Sequence, residues 1–162
     1  SKETACTVGF PTTTRHRLLE TTEHQGDLRR LQQLVADGQL EFVTGGWVQP
    51  DEANTQRYAI EVQLQEGHDW LRQTFGEQVI PKYGWSIDPF GYSPTMADIL
   101  KDYGFEGMLI QRVHYAVKKT LAERKHLEFM WRQTYDETGR WPCDGWAPGR
   151  VLAELSGEPF RL

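Results

Sequence analysis

Asp88 lies between Ile87 and Pro89, at the end of a short apolar run and just before a turn. A carboxylate fixed there by a rigid following proline could serve as a glycosidase nucleophile or as a metal ligand. Other charged groups share its setting, each just past a strand-like run: Asp51 and Glu52, Arg112, and Arg132. Carboxylates mixed with tryptophan, phenylalanine and arginine suit a sugar, because aromatic faces stack on the apolar faces of a pyranose while charged groups bond its hydroxyls. Two readings of Asp88 stand side by side: it does this chemistry, or it caps a turn before Pro89. Arg112 and Arg132 could likewise belong to a site or pair structurally with nearby carboxylates.

The elements that must position these groups alternate between strand and helix. Residues 1–26 are polar and threonine-rich and carry no period; the reading there is irregular chain, with His16 and His24 solvated rather than metal-binding. From Asp27, a cap, Leu28, Leu31, Leu34 and Val35 predict a short amphipathic helix that stops at Gly38. Leu40 to Val43 predicts a strand that Gly45-Gly46-Trp47-Val48 continues or bends, the paired glycines marking either a bulge or a place where something approaches the backbone closely. A longer helix follows, with Ile60, Leu64, Gly67, Leu71 and Phe75 on one stripe, Gly76 as its terminator and His68 at its rim. A strand near Tyr83 then leads through Asp88 to Ser93-Pro94, a helix start. Met96, Ile99, Leu100 and Tyr103 continue at helical spacing and Gly104 ends the run.

Gly107 to Gln111 predicts a further strand, 113–125 a helix on Val117 and Leu121, and Leu127 to Trp131 a last strand. After Gln133 the sequence is rich in glycine and proline, with a short helix expected over 151–155. This alternation indicates an α/β fold with a parallel sheet or part of a barrel, organised as 1–26, 27–133 and 134–162. Parallel strands all point one way, so the charged groups at their carboxyl ends should gather on one face.

Bulk properties exclude more than they assert. The chain has 162 residues, 38% of them hydrophobic, enough for a globular core. A net charge of −5 without a basic run disfavours nucleic acid and anionic membranes as partners. No stretch has the length of a membrane span, and no targeting signal is legible. Cys6 and Cys143 are far apart, lack metal-ligand spacing, and leave the redox compartment open. There is no phosphate-cradling glycine loop and no CxxC pair, and Asp88-Pro89-Phe90-Gly91 is not the kinase triplet, since a proline interrupts it.

Four ordered blocks carry a resemblance. They are Gly45-Gly46-Trp47-Val48 with Pro50-Asp51-Glu52-Ala53-Asn54; Trp85-Ser86-Ile87-Asp88-Pro89-Phe90-Gly91; Met108 to Tyr115; and Leu127 to Gln133. Over residues 28–133 the chain closely resembles the N-terminal catalytic domain of the glycoside hydrolase family 38 α-mannosidases. Pro50 and the run Ser93-Pro94-Thr95-Met96 bring it nearest to the Golgi α-mannosidase II branch. The resemblance implies part of a seven-stranded parallel β/α barrel that holds one zinc ion. It implies retaining hydrolysis of mannose from N-linked glycans, with the parent protein in the Golgi lumen. It makes Asp88 both the nucleophile and a zinc ligand, sets Phe90 beside the bound sugar, and sets Arg112 against the nucleophile, where it also meets substrate. Asp51 and Glu52 match a family motif in a supporting role.

Two departures qualify that expectation. Tyr92 stands where histidine is common in the family, although some Golgi-type members carry tyrosine. The family's first zinc motif, His-x-Asp-x-Gly-Trp, is absent from residues 1–26, and its later zinc histidine and general acid have no match here. Asp88 is thus the one expected zinc ligand present, and one carboxylate does not hold a catalytic zinc. The chain reads as a mannosidase fragment that is inactive in isolation; the alternative is a non-catalytic carbohydrate-binding or interaction module derived from that fold.

Overall fold

The computed structural model describes residues 5–8, 22–131 and 150–153. Its elements are β1 (Ala5–Val8), α1 (Thr22–Ala36), β2 (Leu40–Val43), α2 (Arg57–Phe75), β3 (Tyr83–Ser86), α3 (Pro94–Asp102), β4 (Gly107–Ile110), α4 (Tyr115–Glu123), β5 (Glu128–Met130) and β6 (Arg150–Ala153). They fall into two compact units, residues 1–50 with 55–81, and residues 51–54 with 82–162.

In the first unit β1 and β2 pair in parallel, Ala5 opposite Leu40 and Val8 opposite Val43. Leu40, Phe42, Trp70, Leu71 and Phe75 form its core, and Leu28, Leu31, Leu34 and Val35 pack against it from α1. The Phe42 and Phe75 rings stand 4.8 Å apart, and Trp70 meets Phe75 edge-on at 5.9 Å. The predicted stripe of α2 is the buried one: Ile60, Leu64, Gly67, Leu71 and Phe75 are all inside. The helix comes so close to the bend after β2 that a Cβ on Gly67 would run into the Gly45 carbonyl oxygen. Of the two readings of the paired glycines, bulge or close approach, the structure shows the close approach.

Three expectations need correction here. Residues 5–8 form a strand although no local pattern marks one; its partner β2 supplies the order. Helix α1 begins at Thr22, ahead of Asp27. His68 is buried, not at the rim, and its Nε2 lies 2.8 Å from the Thr44 carbonyl oxygen. Thr44 adopts a left-handed φ of 54° at the bend, which turns that carbonyl toward the helix.

The second unit is a four-stranded sheet in the order β3-β4-β6-β5. Strand β4 is buried along its whole length, paired in parallel with β3 on one side and with β6 on the other. Met96, Ile99 and Leu100 of α3, with Phe105, Met108, Leu109 and Ile110, make the interior. Gly84 leaves room for the Leu100 side chain over β3, where a Cβ would stand 2.7 Å from its Cδ1. The start signal of α3 acts as predicted: the Ser93 hydroxyl accepts from Thr95 N–H at 3.2 Å, with Pro94 in the first turn. At the other end Gly104 N–H bonds Lys101 O and Phe105 N–H bonds Leu100 O, the paired closure of a glycine-terminated helix.

Two further corrections concern the sheet. Residues 151–153 of the segment expected as a helix over 151–155 belong instead to strand β6, which pairs with β4 from Gly107–Arg150 to Ile110–Ala153. Strand β5 runs antiparallel to β6, Met130 opposite Arg150, so its carboxyl end points to the edge where β4 begins. The expected gathering of all strand ends therefore fails for β5. Arg132, Cys143 and His16 lie outside the described residues. In α4 the buried side chain is Lys118, while Val117 of the expected stripe is exposed.

Candidate active site

Strand β3 ends at Ser86, and the chain passes through Ile87 to Asp88 before Ser93 opens α3. Pro89 is buried while Asp88 and Phe90 are exposed, so the proline pins a loop whose flanking side chains face outward. β4 ends at Ile110, level with Ser86 in the parallel register, and Arg112 follows two residues later. Two neighbouring parallel strands thus deliver a carboxylate and a guanidinium to one sheet edge.

The two groups meet. Arg112 Nη2 donates to Asp88 Oδ1 at 2.7 Å, with side chains 53% and 65% exposed. The Arg112 guanidinium carbon also lies 5.8 Å from the centre of the Phe90 ring, itself 75% exposed. An ion pair this open contributes at most about 1 kcal/mol to folding. Its consequence is orientation: the guanidinium holds one carboxylate oxygen, and the Phe90 ring supports the guanidinium from the side.

Two carboxylates from the turn after Pro50 take different parts. The Asp51 Oδ1 accepts from Ala53 N–H at 2.9 Å and Asn54 N–H at 3.4 Å, and its Oδ2 from the Asn54 side-chain amide at 3.2 Å. The Ala53 N–H bond leads in holding its pKa below the usual value. Glu52 is buried, and its Oε2 accepts the Ser93 N–H at 2.5 Å. Its Oε1 is enclosed with no hydrogen-bond partner among the described residues. Burial raises the Glu52 pKa to about 7, with the neighbouring Asp51 charge adding and the Ser93 bond opposing.

The resemblance grouped Asp88, Arg112 and Phe90, and in the structure Arg112 meets both Asp88 and the Phe90 ring. Sequence reasoning missed two linkages. One is the Glu52–Ser93 bond. The other is the Tyr92 hydroxyl, which accepts the N–H of Gln111 at 2.9 Å and of Arg112 at 2.7 Å. The motif Pro50-Asp51-Glu52 marked Glu52 as noteworthy, but nothing local shows which helix it reaches.

A zinc site is not assembled from these residues. Asp88 offers carboxylate oxygens, but no group of three His, Cys, Asp or Glu side chains able to hold a metal occurs among the described residues. A catalytic zinc takes about three protein ligands.

Comparison with known proteins decides the family. Residues 13–144 match the N-terminal domain of the glycosyl hydrolases family 38, a span wider on both sides than the 28–133 that carries the motifs. The chain belongs to this family. Among family 38 relatives, it is 59% identical over 106 residues to alpha-mannosidase 2 of Arabidopsis thaliana, covering 65% of this chain and 9% of the relative. It is 54% identical over 116 residues to alpha-mannosidase 2 of Drosophila melanogaster, 70% of this chain and 10% of the relative. The Homo sapiens alpha-mannosidase 2 is 59% identical over 103 residues, 64% and 9% respectively. The chain therefore spans about a tenth of the length of these relatives. In fold it is similar to part of the 4-alpha-glucanotransferase of Thermococcus litoralis, with a TM-score of 0.67 and 18% identity over 94% of this chain and 21% of that one. The shared feature is a mixed helix and strand fold with a small parallel sheet.

Proposed function

We propose that this family 38 chain is a segment, centred on residues 27–133, of the β/α-barrel catalytic domain of a retaining α-mannosidase that trims mannose from N-linked glycans. The observation that carries the reading is the Asp88–Arg112 contact at 2.7 Å beside the exposed Phe90 ring, at the carboxyl edge of adjacent parallel strands. Alpha-mannosidase 2 relatives at 54–59% identity support the substrate class.

In this reading Asp88 attacks the anomeric carbon of a terminal mannose as the glycosidic bond breaks. A second carboxyl group protonates the departing oxygen, and water then cleaves the mannosyl–Asp88 ester. Arg112 keeps the attacking carboxylate aimed. Phe90 presents an apolar face to the sugar. Neither Asp51 nor Glu52 suits the acid role: one is committed to its own turn, and the other is buried on the Ser93 amide. In this reading the acid comes from elsewhere in the whole protein, as would the partners that zinc would need alongside Asp88. Metal coordination, where it occurs in the whole protein, would add charge stabilisation at the carboxylate. The family setting favours a Golgi location for that protein; no described helix is long and apolar enough to cross a membrane.

The reading that this is a non-catalytic carbohydrate-binding module draws on one observation, the lack of an assembled metal cluster among the described residues. Both are tested in a grafted enzyme, the Drosophila melanogaster relative with its matching stretch exchanged for this chain's. A fluorinated mannosyl fluoride should leave its ester on the peptide from Trp85 to Met96, and Asp88→Asn should abolish both label and turnover. A label on Asp51 or Glu52 would show that the wrong carboxylate has been chosen. Binding without turnover by an intact graft would favour the module.

A further inference from the structure

We propose that Tyr92 is a positioning residue for Arg112: its hydroxyl oxygen fixes the backbone from which the guanidinium reaches Asp88. The proposal rests on the reading of Asp88 as the reacting carboxylate, and deepens it.

The sheet register makes the case. Both ladders of β4 stop at Ile110, opposite Ser86 on β3 and Ala153 on β6. The next two backbone amides, Gln111 and Arg112, lie past the last ladder pair on either side. Each donates instead to one oxygen, the Tyr92 hydroxyl, at 2.9 and 2.7 Å. Arginine is a long, rotamer-rich side chain, and here it is half exposed, so its ion pair alone does not hold the guanidinium in one place. Fixing its backbone amide sets the origin and direction from which that side chain reaches Asp88.

The clamp comes from the loop that carries Asp88. Tyr92 is four residues beyond Asp88, so one loop supplies the carboxylate and also holds the backbone of its counter-charge. The loop is itself anchored one residue later, where Ser93 N–H donates to the buried Glu52 carboxylate and the Ser93 hydroxyl caps α3. Asp88, Tyr92 and Arg112 therefore close a ring of contacts: covalent along the loop, two hydrogen bonds from the Gln111 and Arg112 amides just past β4, and one ion pair back. Tyr92 touches no reacting atom in this scheme and acts through Arg112.

The test is a double-mutant cycle in the grafted enzyme. Tyr92→Phe removes the acceptor oxygen and keeps the ring; it should lower kcat about tenfold while KM stays within about twofold, the signature of a misaimed group rather than lost binding. In an Arg112→Ala background the same change should have less than about a twofold effect, because the residue it positions is gone. A simple packing role would lower activity equally in both backgrounds, and that result would overturn the proposal, as would full activity of Tyr92→Phe. Hydrogen exchange gives a second readout that does not require turnover. The amides of Gln111 and Arg112 should exchange faster in Tyr92→Phe while the β4 amides keep their protection. Unchanged exchange at those two amides would also overturn it. The fate of the Asp88 reading is separate: turnover surviving Asp88→Asn would end that reading, while the amide exchange still reports on Tyr92.

Discussion

Burial of the Glu52 carboxyl makes folding stability depend on pH. Its carboxyl has a folded pKa of about 7 against an ordinary value of 4.5, so between those values the folded protein holds a proton that the unfolded chain releases. Folding stability must therefore fall as pH rises through this window, and the loss is complete above about pH 7. Discounted for solvent screening, the effect is roughly 2 kcal/mol. His68 acts in the opposite sense: burial lowers its pKa, so its contribution is present above the ordinary 6.5 and is lost as pH falls below it. Comparing wild type with Glu52→Gln in the grafted enzyme isolates the glutamate. The amide can still accept from Ser93 N–H. Native-state exchange at the first α3 amides should show equal protection near pH 4.5 and greater protection in the variant above pH 7. Equal pH profiles would mean that Glu52 is ionised and satisfied in the folded state.

At the scale of elements, what was legible was what is decided locally. Ser93-Pro94 and Gly104 bound α3 because a cap hydroxyl, a preset φ and a left-handed stop act over a few residues. The α2 stripe was legible because its period is its burial. Strands β1 and β6 were not, since each is four residues long and gains its order from a partner far along the chain, Leu40–Val43 for one and Gly107–Ile110 for the other. The direction of β5 was invisible for the same reason. The candidate site followed this division: Asp88 and Arg112 were marked by strand ends and Phe90 by the family motif, whereas the Tyr92 and Glu52 linkages join residues 19 to 41 positions apart. Gly67 offers a prediction at this scale. Alanine is the better helix former by about 1 kcal/mol, yet its Cβ would collide with the Gly45 carbonyl, and forcing α2 off the bend costs about 1–3 kcal/mol. Gly67→Ala should reduce exchange protection across β2 and α2 while leaving β3 and β4 unchanged. Greater protection would show that the helix shifts at no cost.

Considered as a whole, the chain carries the chemistry of one sheet edge but little to hold that edge alone. Among the described residues the first unit has two paired strands, which depend on the covering layer of α1 and α2 because a strand pair alone is marginal in water. In the second unit β3 and β5 are the end strands of the order β3-β4-β6-β5, and end strands are where sheets associate. Large apolar side chains are open to solvent, among them Val48 at 58%, Ile80 at 54% and Tyr58 at 76%. A sheet meant to close into a barrel would pair those edges and cover those side chains. The 162-residue chain on its own is therefore expected to melt broadly, to associate through its edges, and to hydrolyse no aryl α-mannoside. Calorimetry with size-exclusion chromatography checks the first two, and a chelator-controlled assay the third. A sharp two-state melt of a monomer would show that the two units suffice as a folding unit, and the barrel reading would then lose its main physical support.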